Sequence, residues 1–171
     1  AIAERLEEDT CVLILGNHGL AVAAETVDEA EALLHRVSRL LSATPRQAPD
    51  ADIAVLQRLA VNSQYRLPVD TSIHRVATDL ASCLIAAGGS LYPDHVIFLG
   101  KGSMIASPLD TALTIEEKLE EGMALPPAIL FPGKGVLVLK EPTSGALAMA
   151  RCLADVTSRI PQGTRLNYLT D

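Results

Sequence analysis

The alternation of apolar and polar residues divides the chain into short strands and capped helices. Residues 11–15 (Cys-Val-Leu-Ile-Leu) form an unbroken apolar run that reads as a buried strand. Gly16-Asn17-His18-Gly19 reads as a turn, and Leu20 to Ala23 as a second strand. Thr26-Val27-Asp28-Glu29 is a capping box, in which the Thr26 hydroxyl accepts from the Glu29 amide and the Glu29 carboxylate reaches back to the Thr26 amide. Val27, Ala30, Leu34, Val37 and Leu41 then recur at helical spacing and predict a helix with one apolar stripe. Asp28 and Glu29 stand at its positive end, Arg36 and Arg39 at its negative end.

Residues 43–50 carry two prolines and read as a loop or linker. A short helix is expected from about Asp52 to Val61, and Pro68 with Asp70 marks a turn. Ile73, Val76, Leu80, Leu84 and Ala87 predict one continuous helix, ended by Gly88-Gly89. Pro93 precedes an expected strand from His95 to Leu99, followed by a Gly100-Lys101-Gly102 turn. Thr114-Ile115-Glu116-Glu117 reads as a second capping box, opening an acidic helix to Gly122 whose carboxylates suit a solvated face. Strands at Ala128–Phe131 and Val136–Leu139 flank Pro132-Gly133-Lys134-Gly135, and a last helix runs from about Ser144 to Arg159.

Strands alternating with helices predict an α/β fold, and hairpins force antiparallel neighbours. The expected architecture is a layered sandwich with a mixed sheet and helices on both faces. Residues 19–30 also align without a gap on residues 135–146, at an offset of 116 positions. Both copies read as strand, turn and capped helix, although any hairpin followed by a capped helix would look alike. The second copy places Lys134 where the first has His18.

Composition narrows the function classes. The 171 residues are 49% apolar and 20% charged, which is globular. The formal charge of −7, with no Lys/Arg block, argues against nucleic acid and anionic membrane as partners. No Trp, three Tyr and two Phe leave little for base stacking. Cys11, Cys83 and Cys152 lie far apart in apolar runs and read as buried free thiols in a reducing cytosol. No apolar run approaches the roughly 20 residues of a membrane helix. The start has neither a signal peptide nor an initiator Met, so the chain reads as a piece of something longer.

Candidate chemistry centres on His18. A glycine-flanked bend at a strand end lets an imidazole project while the strand fixes its base, which suits a metal ligand or a general base. A hydrogen-bonded turn histidine is the plainer alternative. One imidazole does not make a catalytic zinc site, which needs about three protein ligands and an open position. Neither H-x-H nor H-E-x-x-H occurs, and the other histidines are His35, His74 and His95. His35 and His74 read as helix-face residues. Asp94 beside His95 forms a weaker candidate pair, since a carboxylate can tune an adjacent imidazole. The Gly-Lys-Gly turns at Lys101 and Lys134 lack phosphate-loop spacing.

The segment Val12-Leu-Ile-Leu-Gly-Asn-His-Gly-Leu-Ala-Val-Ala-Ala-Glu-Thr-Val-Asp-Glu-Ala30 resembles the class II aldolase/adducin family just before that domain's last helix. Ala24 stands where the family usually has Gly. The likeness covers residues 10–42. Leu91–Leu99 and Ile129–Val136 are similar to the extension of longer bacterial members that resemble rhamnulose-phosphate aldolases, some fused to a short-chain dehydrogenase. The resemblance implies that residues 1–44 are the C-terminal portion of such a domain and 45–171 an α/β extension, with a partial structural repeat of the first segment as one reading. It implies that His18 is the last of three imidazoles on a divalent metal, commonly zinc, in a turn supported by Gly16, Asn17 and Gly19. The H-x-H pair and the catalytic acid would precede Ala1.

In that family the metal polarises a ketose phosphate for retro-aldol cleavage. The expected ligand is thus a small sugar or sugar phosphate, in a cytoplasmic homo-oligomer. Adducin-type members keep the fold without the activity, so a non-catalytic binding or assembly module is the second expectation. A third, an unrelated sugar- or nucleotide-binding domain, would rest on the Gly-Lys-Gly turns.

Overall fold

The computed structural model describes residues 6–7, 9–119 and 122–169. The signal-peptide reading of Ala1–Arg5 and the end of the acidic helix at Glu120 and Glu121 lie outside them. The chain divides into two compact units, Ala1–Thr44 and Pro45–Asp171.

In the first unit, β1 (Val12–Leu15) pairs antiparallel with β2 (Gly19–Val22), Val12 opposite Val22 and Leu15 opposite Gly19. α1 (Val27–Leu41) follows, with both bonds of the Thr26–Glu29 capping box formed, at 3.3 and 3.1 Å. Two expectations change here. β1 is not buried: Ile14 is 67% exposed and Cys11 is exposed as well. α1 buries no residue fully, and its half-covered line is Ala30, Leu33 and Val37 rather than the stripe through Val27, Leu34 and Leu41. A two-stranded hairpin and one helix hold too little apolar surface to enclose a core.

The second unit is an α/β layered fold on a mixed four-stranded sheet. Its strands are β3 (Tyr65–Arg66), β4 (Met104–Ile105), β5 (Ala128–Phe131) and β6 (Gly135–Leu139), in the order β3-β6-β5-β4. β4 runs parallel to β5, and the other pairs are antiparallel. Because strand side chains alternate, the sheet fills two cores. Ile129, Phe131, Leu137 and Tyr65 pack with Leu56 of α2 (Ile53–Leu59) and with Ala112 and Ile115 of α6 (Ala112–Lys118). Leu130, Val136 and Val138 point the other way. They meet a 3-10 turn (Thr71–His74), α3 (Arg75–Thr78), α4 (Leu80–Ala87), α5 (Pro93–Leu99) and α7 (Ser144–Thr157). The sheet therefore has helices on both faces.

Three local expectations are corrected in this unit. The run after Pro93 is helical, not a strand: Tyr92 is extended, Pro93 occupies the first turn, and His95 and Leu99, four apart, face the core. The helix expected across residues 73–87 breaks at Asp79, whose carboxylate accepts from the amides of Ala81 and Ser82 and starts α4 afresh. Cys83 and Ala86 therefore turn inward, while Leu80 and Leu84 face out. The second capping box lies one turn earlier than expected, between Thr111 and Thr114.

The two hairpins share one bend. Each has a three-residue loop, closed by the amide of His18 on the Leu15 carbonyl (3.1 Å) and of Lys134 on the Phe131 carbonyl (2.9 Å). Left-handed backbone falls at Asn17 (φ 56°) in one and at the aligned Gly133 (φ 70°) in the other. The match slips afterwards: Thr143, one place beyond the residue aligned with Thr26, caps α7.

Candidate functional site

His18 stands at the exposed tip of the β1–β2 hairpin, between exposed Gly16, Asn17 and Gly19. Asn17 tolerates the left-handed backbone that the bend demands, and Gly19 (φ 152°) lets the chain re-enter the strand. The bend thus holds the backbone at position 18 and leaves its imidazole outside any packed layer. Among the described residues no three His, Cys, Asp or Glu side chains gather as a metal site. His18 therefore belongs to no complete coordination set among the described residues.

Asp94 and His95 fall in different environments. Asp94 is exposed in the first turn of α5, whereas His95 is fully buried with its ring 5.7 Å from that of Tyr92. Neither ring nitrogen of His95 has a hydrogen-bond partner among the described residues. Burial holds its pKa below the ordinary value.

His74, read from the sequence as a helix-face residue, is buried at 4% exposure beneath the β6 hairpin. Its Nδ1 accepts the amide proton of Val136 at 3.0 Å. That fixes the tautomer: Nδ1 carries no proton, so the neutral ring carries its proton on Nε2. Nε2 has no hydrogen-bond partner among the described residues, and neither does Oγ1 of Thr78, one turn on and 3% exposed. His74 and Thr78 are among the residues around a cleft of about 450 Å³ that also takes in Asp50, Ser72 and Arg75, and the two unpartnered atoms themselves are closed to solvent. The cleft abuts the second hairpin tip, where the Lys134 carbonyl accepts from the Asp52 amide and Gly133 donates to Ala77. Spacing gave one clue to this site, two polar residues four apart, His74 and Thr78, on one side of a short helical stretch. The Val136 contact, 62 positions away, is tertiary.

Burial lowers the pKa of both His74 and His95 from 6.5. The unfolded chain therefore binds more protons than the folded one as pH falls through about 6.5, and stability drops on acidification. Urea midpoints at pH 7.5 and 5.5 are expected to differ, with the lower stability at pH 5.5. His95→Leu, which removes two unpartnered buried nitrogens, is expected to narrow that gap; an unchanged gap would show that His95 is not a source of it.

No family model matches the chain, and no curated protein or solved structure matches it either.

Proposed function

We propose that the chain is part of, or a relative of, a metal-dependent class II aldolase that performs retro-aldol cleavage on a small sugar or sugar phosphate. His18 is one donor to a divalent ion, with zinc suited to imidazole, and the remaining donors come from outside the described residues. The observation that carries this reading is the exposed His18 ring on a hairpin bend fixed by Asn17 (φ 56°) and Gly19 (φ 152°). A positioned backbone beneath an uncommitted imidazole is what a shared coordination shell needs. Bound there, the ion would polarise a carbonyl or hydroxyl of the substrate. Asn17 and Gly19 serve to hold the bend, and Gly16 leaves room beside it, with no heavy atom within 4 Å of the place a Cβ would take. Three unpaired cysteines, one of them exposed, suit a reducing cytoplasm. No helix among the described residues is long and apolar enough to cross a membrane.

A second reading, a non-catalytic module that assembles with copies of itself, draws on α1. Val27, Leu34 and Leu41 are 82%, 40% and 57% exposed there, an apolar line suited to another subunit.

Metal analysis and aldol-cleavage assays on the full-length protein separate the two. The aldolase reading expects bound metal and cleavage activity in the wild type, and loss of both in His18→Ala with an unchanged melting temperature. Equal metal content in the two proteins would remove His18 from the site. A metal-free wild type that self-associates would favour the assembly module.

A further inference from the structure

α1 carries an apolar line that the described residues leave uncovered. Val27, Leu34 and Leu41 recur every seven residues along it, and all three are exposed. The half-covered Ala30, Leu33 and Val37 border the line on one side, and the exposed Glu31, His35 and Ser38 border it on the other. A seven-residue apolar repeat keeps one seam turned toward a second helix that crosses at a shallow angle. Among the described residues no helix lies across that seam.

The charges identify the missing neighbour. Asp28, Glu29 and Glu31 precede Leu34, whereas His35, Arg36 and Arg39 follow it, and all six are exposed. Within one helix these charges also offset the macrodipole. A second copy lying in the same direction would set acid against acid and base against base, with the two macrodipoles aligned. A copy lying in the opposite direction sets the acidic half of each helix against the basic half of the other. Counted outward from Leu34, Val27 then meets Leu41 of the other copy, Leu34 meets Leu34, and Glu29 shares a level with Arg39. The helix is close to a palindrome in apolarity and in charge, which is what a two-fold contact between identical surfaces requires. The apolar line alone would serve any partner, but its symmetry about Leu34 is used only by a second copy.

We propose that α1 pairs antiparallel with α1 of a second copy of this chain, with Leu34 on the two-fold axis. The inference rests on the assembly reading above and adds the partner and the geometry of the contact. Its 15 residues span about 22 Å, a small contact of the weak and transient class. The dimer is therefore expected to form with rising concentration, in the micromolar range. It needs neither His18 nor a metal.

Sedimentation velocity on the whole chain, from low to several hundred micromolar, tests the association. Leu34→Glu is expected to weaken the dimer about tenfold or more, with its melting temperature near the wild-type value because the side chain faces solvent in the single chain. Should Leu34→Glu fail to fold, Leu41→Glu takes its place. Disulfide trapping reads the direction, on a Cys11→Ser parent that lacks the exposed native thiol and sets the baseline. Leu34→Cys is expected to link to itself, Val27→Cys to link to Leu41→Cys, and Val27→Cys alone to stay at the baseline. A monomer at every concentration would hand the apolar line to a partner of another kind, and would overturn both the proposal and the assembly reading. A dimer untouched by Leu34→Glu, a Leu34→Cys that does not link, or a Val27→Cys that links to itself would overturn the proposal alone. Self-association would then stand, through another surface or in the parallel sense.

Discussion

Replacing Arg46 with alanine is expected to lower the stability of the 45–171 unit by about 3 kcal/mol, the low end of the range for removing one partner of a buried ion pair. Its Nε and Nη2 both reach Oδ2 of Asp79, at 3.0 and 2.7 Å. Nη2 also bonds the Ser82 hydroxyl at 3.0 Å and the Thr157 carbonyl at 2.8 Å, and Nη1 donates to the Ile160 carbonyl. One guanidinium thereby ties the 45–50 segment to the junction of α3 and α4 and to the end of α7. The side chains of Arg46 and Asp79 are 25% and 13% exposed, which limits but does not cancel the penalty for an abandoned carboxylate. That carboxylate also caps α4, so losing its cation leaves it held only by the Ala81 and Ser82 amides and the Ser82 hydroxyl. Arg46→Lys should recover little, because an ammonium cannot span the same four acceptors. Urea unfolding of the full chain reads the effect. A loss under about 1 kcal/mol for Arg46→Ala would mean that the clamp adds no more than an exposed surface pair.

A contrast between aligned glycines gives the second large effect. A Cβ on Gly135 would lie 2.8 Å from both His74 Nδ1 and Leu56 Cδ1 and 3.2 Å from Ala51 Cβ, at φ 135°. A Cβ on Gly19, the matching position of the first hairpin, would meet nothing within 4 Å, at φ 152°. Both changes incur a backbone penalty of about 1–2 kcal/mol. Gly135→Ala adds overpacking of about 1–3 kcal/mol and pushes on the histidine that floors the cleft. Gly135→Ala is therefore expected to destabilise by about 2–5 kcal/mol and Gly19→Ala by no more than about 2 kcal/mol. Thermal melts of the two variants check this directly. Equal losses would mean that the second hairpin is not pinned by His74 and Leu56.

These cases mark where sequence patterns were informative. Capping chemistry is local, so Thr26 and Glu29 announce the start of α1 without any tertiary knowledge. Bends are local too, and Asn17 and Gly133 fall where the left-handed conformation is required. An apolar period, by contrast, says which residues share a face and not what covers that face. Leu34 and Leu80 satisfied their stripes and are exposed. The seven residues of α5 were too short for periodicity to separate helix from strand. β3 and β4, at two residues each, leave no periodic trace. Asp79 interrupts one apolar stripe because a carboxylate can cap a new helix as readily as it can sit on an old one. His18 was visible because its bend is written in neighbouring glycines. The pairing of His74 with Thr78 over a cleft was not, because the Val136 amide that orients the ring arrives from a distant strand.

Under the proposed function, the imidazole at the first hairpin tip donates to a divalent ion. Zinc K-edge absorption on the metal-loaded full-length protein, compared with His18→Gln loaded to the same content, addresses the coordination shell itself. The expected result is a nitrogen-containing shell that loses one imidazole scatterer in the variant. An identical shell in both proteins would contradict it.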